Sequence, residues 1–245
     1  MTETFTIVHS QLCMVEALEA VQRAAFPTLA EDEIITAAHY AAHIRRFPEG
    51  QFAVLNAAGQ VVACSTDFRT SAVDFNDFEH RYIDAVANNW LSRHDPQGEW
   101  LYGADIGVLP AYRQRGLARR LYEARRNVIR RLNLRGHVAG GLLKGFSAYQ
   151  AAMSVEEYVA KILTGELVDP TVSVQLRCGF TVHGIIHHYV HDPACDGKAA
   201  FLVWHNPDYA PARRLSHGDD LEVDQLCFGG CLLLPLPPGE GFSGG

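Results

Sequence analysis

The 245-residue chain lacks any apolar run that approaches the roughly 20 residues a membrane-spanning helix needs. Its first residues, Met1-Thr2-Glu3-Thr4, lack a basic stretch followed by an apolar one, so no secretory signal peptide is expected. The composition, with 48% hydrophobic and 20% charged residues, suits a chain that buries a full core. We therefore expect a compact cytoplasmic protein without membrane contact.

The chain also lacks an excess of positive charge, because its formal net charge is −7. Phosphate backbones repel a protein that is acidic overall, so nucleic acid is not expected as a partner. The six cysteines are scattered, which favours a reduced protein with free thiols over a disulfide scaffold.

Residues with metal-ligand spacing are also scarce. Cys227-x-x-x-Cys231 has no second ligand pair nearby, which argues against zinc. The adjacent His187 and His188 would point to opposite faces of a strand, so they cannot readily serve one ion. No metal is expected.

The stretch from Ile106 to Leu121 carries the strongest signal. A β-branched segment stops at Pro110, and a turn then leads into a helix whose apolar residues recur at spacings of three and four. Gly116 in that turn lets the backbone approach a ligand closely, and the first helical turn leaves N–H groups unpaired. Unpaired N–H groups at the positive end of a helix dipole predict a pyrophosphate site.

Local charge supports an anion site in this region. From Arg113 to Arg135 the chain carries nine arginines and one acid, Glu123. Three arginine doublets lie beside the apolar stripe and are interpreted mostly as a solvated flank, at positions 119–120, 125–126 and 130–131. The arginines nearest the turn can reach phosphates, because guanidinium groups pair well with them: Arg113, Arg115, Arg119 and Arg120.

The pattern Val-x-Pro-x-x-Arg-x-x-Gly-x-Ala, from Val108 to Ala118, resembles the acetyl-CoA signature of the GNAT superfamily of N-acetyltransferases. Gly179-Phe180 also recurs in that family, where it begins the sixth strand. The resemblance implies an α/β (α+β) fold, with a mixed, mostly antiparallel central sheet flanked by helices, and acetyl-CoA as cosubstrate. The cofactor-binding residues that it implies are Ile106, Gly107, Val108, Arg113, Gln114, Arg115, Gly116, Leu117, Ala118 and Arg119.

The order of predicted elements agrees with this resemblance. We predict a second helix that starts from a capping box of Thr28 and Glu31 and runs to about Arg46. The other predicted elements are a strand at 6–8, a helix at 12–25, a hairpin of 52–55 and 61–68, strands at 101–109 and 137–140, a helix at 172–178, and strands at 180–190 and 200–204.

We predict a GNAT domain over residues 1–206 with two inserts, at about 71–100 and 141–170. The second insert contains a helix with Ser154 and Glu157 as a capping box and Gly165 at its C-terminal end. It also resembles GNAT domains that are fused to carbon–nitrogen hydrolases. The extension at 207–245 is expected to pack on the body or on a partner subunit, which leaves a homodimer open.

The resemblance implies direct attack of a neutral amine on the thioester. The backbone of Ile106, Gly107 and Val108 would pair with the pantetheine arm, and Gly107 would permit distortion of the strand. Asp105, whose side chain has the opposite parity to Ile106, is the candidate for ammonium binding or general base, or is a structural acceptor.

The general acid is less clear from the sequence. Many relatives carry a tyrosine acid four residues before the Gly-Phe glycine, and here that position is Gln175. Tyr149, in the second insert, is the substitute candidate, although a core or surface position is the commoner role for a tyrosine.

Three functions stay open at this point. The first is a small-molecule amine acetyltransferase, the second a protein or peptide N-acetyltransferase, and the third a non-catalytic acyl-CoA-binding regulatory module. Two aromatic-rich inserts would roof the acceptor side, so a small amine is favoured over a protein.

Overall fold

The computed structural model describes residues 3–71, 73–75 and 77–211. They form one seven-stranded sheet in the order β1-β2-β3-β4-β5-β7-β6, in which only β4 and β5 run parallel. The strands are β1 Thr6–His9, β2 Gln51–Leu55, β3 Val61–Thr70, β4 Trp100–Val108, β5 Gly136–Leu142, β6 Thr181–Ile186 and β7 Ala199–His205. The predicted fold class, a mostly antiparallel sheet flanked by helices, is confirmed.

The helices are α1 Val15–Ala25, α2 Ala37–Arg46, α3 Tyr82–Ala85, α4 Leu117–Arg131, α5 Val155–Thr164 and α6 Val172–Arg177. Helix α4 packs its apolar stripe, including Leu121 and Val128, on one face of the sheet around Leu101. Helices α1 and α2 cover the opposite face, where Val21 and Tyr40 contact the cluster of Cys64. The region where β4 meets β5 therefore lies between two helical layers.

The predicted caps of α5 are confirmed. The Ser154 hydroxyl accepts the N–H of Glu157 at 3.2 Å, and Gly165 ends the helix at a φ of 80°. The predicted start of α2 is wrong. Residues Glu31–Glu33 form a single 3₁₀ turn, and α2 begins at Ala37 after Thr36, whose N–H donates to Nδ1 of His39 at 3.2 Å.

Tertiary contacts explain the late start of α2. The N–H of Ala30 donates to the carbonyl of His191 at 3.0 Å, and the buried Glu33 accepts the N–H of His191 at 2.8 Å. These bonds hold the segment after Phe26 in a path of short turns that a helix from Thr28 would break. Long-range bonds thus override a local capping pattern.

The predicted extension falls mainly on residues 212–245, which lie outside the described residues, as do Cys227 and Cys231. The four described cysteines, Cys13, Cys64, Cys178 and Cys195, are free. None of the helices in the described part of the chain is long and apolar enough to cross a membrane.

Arg125 corrects the interpretation of the α4 arginines as a solvated flank. This side chain is only 1% exposed, and its Nε lies 2.9 Å from Oδ2 of the buried Asp67. Its guanidinium also donates to the carbonyls of Thr66, at 3.3 Å, and Asp105. Arg125 therefore joins α4 to the middle strands β3 and β4.

We expect Arg125→Met to destabilise the protein by about 3–5 kcal/mol, because Asp67 would be left as an uncompensated buried charge. Urea denaturation followed by circular dichroism measures the loss. The matched control is Arg130→Met, whose partner Asp208 is 66% exposed, and it should cost under about 1 kcal/mol. Equal losses in the two variants would contradict a structural role for the buried pair.

Candidate functional site

The centre of the sheet opens into a wedge between β4 and β5. The two strands pair only from Trp100–Gly103 to Gly136–Ala139. Beyond these residues β4 continues to Val108 and β5 continues to Leu142, and these described segments form no further pairs with each other. We call this gap the wedge and its closed end, near Gly103 and Ala139, the apex.

A bulge in β4 marks the start of the wedge. Asp105 is paired with Thr66 of β3 whereas Gly103 is paired with Asp67, so Ala104 is an extra residue in the ladder. The expectation that Gly107 permits the distortion is therefore wrong. Gly107 pairs regularly with Cys64, and a Cβ at this position would lie 3.3 Å from the Cβ of Ala25 in α1. Gly107 is small because α1 packs closely on this strand.

Backbone alternation directs polar groups into the wedge. The N–H of Leu109 donates to the carbonyl of Val62 in β3 at 3.0 Å, so the backbone groups of Ile106 and Val108 point the other way. On the opposite side, the N–H of Leu143 donates to the carbonyl of Lys198 at 3.1 Å. By the same alternation, the backbone of Gly140 faces β4. An extended ligand could therefore pair with β4 there as an added strand.

The turn between β4 and α4 presents free backbone donors beside the wedge. Gln114 and Gly116 have φ values of 61° and 75°, and Gly116 is the N-cap of α4. The first hydrogen bond of α4 runs from the N–H of Arg120 to the carbonyl of Gly116. The N–H groups of Leu117 to Arg119 come before it and have no acceptor within the helix. A Cβ at Gly116 would meet no atom within 4 Å. This turn has the chemistry of an anion site.

Several predicted phosphate-binding arginines have protein partners. Arg113 donates to the carbonyls of Val108 and Ala25 at 3.4 and 3.3 Å. Arg115 pairs with Glu3 and stacks 5.1 Å from the Tyr112 ring centroid. A shallow surface depression beside α4 is lined by Arg115, Gly116, Arg119 and Arg120. The backbone N–H groups of the turn can therefore bind an anion without breaking these side-chain pairs.

Asp105 lies on the face of β4 that α1 and α2 cover, opposite Ile106. It is 7% exposed, and its Oδ2 accepts the hydroxyl proton of Tyr40 at 3.1 Å. Burial raises the pKa of the Asp105 carboxyl from 3.8 to about 6, while the bond from Tyr40 and the charge of Arg125 oppose that rise. A carboxyl with this pKa changes charge near neutral pH, as a proton acceptor does.

The other catalytic candidate, Tyr149, lies in the second insert. Its ring centroid is 5.4 Å from that of Tyr158, whose hydroxyl donates to Asp169 at 3.1 Å. None of the contacts recorded for the described residues joins Tyr149 to Asp105. Gln175 is buried in α6, and a Cβ at Gly141 of β5 would collide with its side chain. The geometry thus places Tyr149 with α5 rather than at the apex.

Sequence reasoning missed a chain of three polar side chains at the apex. The hydroxyls of Tyr102 and Tyr189 lie 2.9 Å apart, and Nε2 of His80 lies 2.7 Å from the Tyr102 hydroxyl. The Tyr189 ring lies so close to Gly140 that a Cβ there would overlap it. Tyr102 lies on a predicted strand, and His80 lies in the first insert. Tyr189 falls within the predicted strand at 180–190, but β6 ends at Ile186, so Tyr189 lies in the loop that follows it.

Loops from distant parts of the chain close over this region. The N–H of Tyr82, in the first insert, donates to the carbonyl of Tyr189 at 2.7 Å. His187, just before Tyr189, donates its N–H to Glu79. Tyr82 in turn donates its hydroxyl to Asn89 at 3.1 Å, which holds the insert together. The first insert therefore positions both His80 and Tyr189.

Comparison with known sequences finds relatives of two kinds, although no family model matches the chain. A probable hydrolase, YhcX of Bacillus subtilis (strain 168), is 33% identical over 174 residues, which cover 71% of this chain and 34% of YhcX. The chain thus spans about a third of the length of that relative. An uncharacterized N-acetyltransferase of the same organism, YkwB, is 27% identical over 86% of this chain and 92% of its own.

Solved structures share the fold. The GphF GNAT-like decarboxylase, solved in complex with isobutyryl-CoA, superposes with a TM-score of 0.69 at 20% identity, over 82% of this chain and 99% of its own. The chain therefore has the GNAT fold, the fold of the N-acetyltransferase superfamily that its sequence resembles.

Proposed function

We propose that the chain is an acyl-CoA-dependent N-acetyltransferase that moves an acetyl group to a primary amine by direct attack. The observation that carries this proposal is the wedge itself. It has an anion-binding turn at its open end and a buried carboxyl of raised pKa, Asp105, beside the bulge at its apex. An extended anionic cosubstrate and a cationic acceptor fit these two ends.

Acetyl-CoA would bind through backbone groups. The turn at Gln114–Arg119 offers N–H donors to the pyrophosphate, and the wedge-facing groups of Ile106 and Val108 offer strand-like pairing to the pantetheine arm. The thioester would then lie toward Gly103 and Gly140, because the wedge narrows in that direction. Bound acetyl-CoA supplies the thioester carbonyl as electrophile.

Asp105 prepares the acceptor. A primary amine is mainly an ammonium ion at neutral pH and cannot attack until it loses a proton. The Asp105 carboxylate attracts that cation and takes one proton from it, and the Tyr40 hydroxyl holds the carboxylate in place. The neutral amine then attacks the thioester, and the C–N bond forms as the C–S bond breaks.

The acceptor is a small amine or an amino-acid-like molecule. Three hydrogen bonds link the loops over the apex. Two join backbone groups, from Tyr82 to Tyr189 and from Ala30 to His191, and the third runs from the N–H of His191 to the Glu33 carboxylate. A peptide needs an open groove along which to lie, and linked loops leave less room for one. The ring of Tyr40, whose hydroxyl bonds to Asp105, suits a small cation, since aromatic faces attract positive charge.

The test measures acetyl transfer from radiolabelled acetyl-CoA to a panel of small primary amines and amino acids, with histone and ribosomal peptides in parallel. We expect the best small acceptor to exceed every peptide by at least about tenfold in kcat/KM. Faster labelling of peptides would overturn the small-acceptor proposal in favour of a protein N-acetyltransferase. Binding of acetyl-CoA without transfer to any acceptor would indicate the non-catalytic module.

A decarboxylase is the second candidate, because the superposed GphF structure carries that name. Such an enzyme must hold an acyl-CoA with its own carboxylate in the acyl pocket. Here the Asp105 carboxylate would face that group, and like charges in a buried site disfavour binding. We therefore expect no release of carbon dioxide from malonyl-CoA. Release at a rate that matches or exceeds acetyl transfer would favour the decarboxylase.

A further inference from the structure

We propose that His80, Tyr102 and Tyr189 form a proton wire that carries a proton from the attacking amine to the leaving thiolate, with Tyr189 as the group that touches the reacting atoms. This inference rests on the proposed function and extends it to the general acid, for which the position of Gln175 holds no titrating group.

Backbone geometry places the Tyr189 hydroxyl in the wedge. Gly140 is the first residue of β5 beyond the paired segment, and its backbone groups face β4. The Tyr189 ring lies against the Gly140 backbone, so close that a Cβ at Gly140 would lie 2.6 Å from the Tyr189 hydroxyl oxygen. The phenol therefore lies where β4 and β5 part. The thioester is proposed to end at the same place.

Tyr189 and Asp105 belong to one buried group. Tyr102 precedes the β4 bulge and Asp105 follows it, and the Tyr82 ring lies 5.9 Å from the Tyr189 ring. Tyr82 donates its hydroxyl to the buried Asn89 at 3.1 Å, and burial, followed by the charges of Asp105 and Tyr189, raises the pKa of Tyr82. The proposal places one bound acceptor between Asp105 and Tyr189.

The direction of the hydrogen bonds follows from His80. Its Nδ1 lies 2.7 Å from the carbonyl of Phe78, and a carbonyl only accepts, so Nδ1 carries a proton. Burial lowers the pKa of His80, which favours the neutral ring with an unprotonated Nε2. Nε2 then accepts from Tyr102, and Tyr102 accepts from Tyr189. Before the reaction, the hydrogen bonds therefore run from Tyr189 through Tyr102 to His80, so a proton can move along them away from the wedge.

The wire accounts for the second proton that the acceptor nitrogen loses in the reaction. Asp105 takes one proton from the ammonium ion, and the nitrogen must lose another when the amide forms. That proton passes to the Tyr189 oxygen, while the Tyr189 proton moves to Tyr102 and the Tyr102 proton to Nε2 of His80. The electron pair of the broken C–S bond leaves with sulfur. The reverse shift then returns a proton from His80 to the thiolate, so His80 ends neutral.

The test compares Tyr189→Phe, Tyr102→Phe and the double variant, with acetyl-CoA and the best acceptor found for the wild type. Each single variant should lower kcat on the order of 100-fold. The double variant should lose no more than about twofold beyond either single one, because residues that act as a unit are not additive. The KM for acetyl-CoA should change by less than about threefold, since the wire does not bind the nucleotide.

The matched control is Tyr158→Phe, which removes an equally buried hydroxyl that bonds to Asp169 away from the wedge. Its kcat should stay within about twofold of the wild type. Thermal unfolding and calorimetric CoA binding identify any variant that loses its fold. A proton inventory of kcat in mixtures of light and heavy water needs no variant, and for a wire it should be curved, with several protons in flight.

The outcomes separate the two proposals. A wild type that transfers acetyl while Tyr189→Phe keeps its kcat would overturn the wire alone, as would a linear inventory or losses that multiply in the double variant. A wild type that transfers acetyl to no amine would overturn the proposed function, and the wire with it. The wire is supported if Tyr189→Phe, Tyr102→Phe and the double variant lose kcat to a similar extent and the proton inventory of the wild type is curved.

Discussion

Gly116→Glu should weaken acetyl-CoA binding on the order of 100-fold or more, which corresponds to about 2.7 kcal/mol. The new carboxylate would stand at the N-terminus of α4, where the pyrophosphate is proposed to bind, and two anions would compete for the same N–H donors. The protein itself should fold, because a Cβ at Gly116 meets no atom within 4 Å. Isothermal calorimetry with acetyl-CoA measures the change.

Gly59→Glu is the control for this variant. Gly59 has a φ of 77°, close to the 75° of Gly116, and a Cβ there also meets no atom within 4 Å. It lies in the β2–β3 hairpin turn, so the same strain of about 1–3 kcal/mol and the same charge arise away from the wedge. Gly59→Glu should bind acetyl-CoA as the wild type does. Wild-type affinity in Gly116→Glu would refute the assignment of the anion site.

Asp105→Asn should lower kcat on the order of 100-fold and leave acetyl-CoA affinity within about twofold of the wild type. Asparagine keeps an oxygen that can accept from Tyr40, but it has no basicity. In the wild type, kcat/KM should rise with pH through about 6, because the ionised carboxyl is the active form. That ascending limb should disappear in the variant. Near-full activity of Asp105→Asn from pH 6 to 9, an assay window of about three units, would show that Asp105 is only structural.

Asp105→Asn should lower activity but raise stability relative to the wild type as the pH rises. The folded-state pKa of about 6 lies above the ordinary 3.8, so the folded protein holds this proton more tightly than the unfolded chain. In the wild type, the protonated Asp105 carboxyl stabilises the folded state fully below about pH 4. This stabilisation is lost as the pH rises to 6, by about 1.4 kcal/mol for each pH unit between the two pKa values. The Tm of Asp105→Asn should therefore gain on that of the wild type between pH 4 and pH 8. A constant Tm difference would contradict the raised pKa.

Local patterns in the sequence predicted the elements that depend on nearby residues. The β2–β3 hairpin, helix α5 with its caps at Ser154 and Gly165, and the turn into α4 all form as expected. Each of them is specified within about ten residues, by periodic apolar positions, a capping side chain or a glycine of positive φ. The turn from Gln114 to Gly116 belongs to this class, so the proposed cosubstrate site could be predicted without a structure.

The surroundings of Asp105 could not be predicted in this way, because they are assembled from residues far apart in the chain. Arg125 looks like a surface arginine by its spacing, and only its approach to the carbonyls at the bulge shows that it is buried. Tyr40 reaches Asp105 across 65 positions and Tyr189 reaches Tyr102 across 87.

The sequence by itself determined helix α5, the β2–β3 hairpin and the turn into α4, since their hydrogen bonds join residues that are close in the chain. The tertiary structure alone decided which carboxyl is buried, which tyrosines meet, and where β4 parts from β5. Those features depend on strand register and on the desolvation of groups from several elements, which no local pattern records.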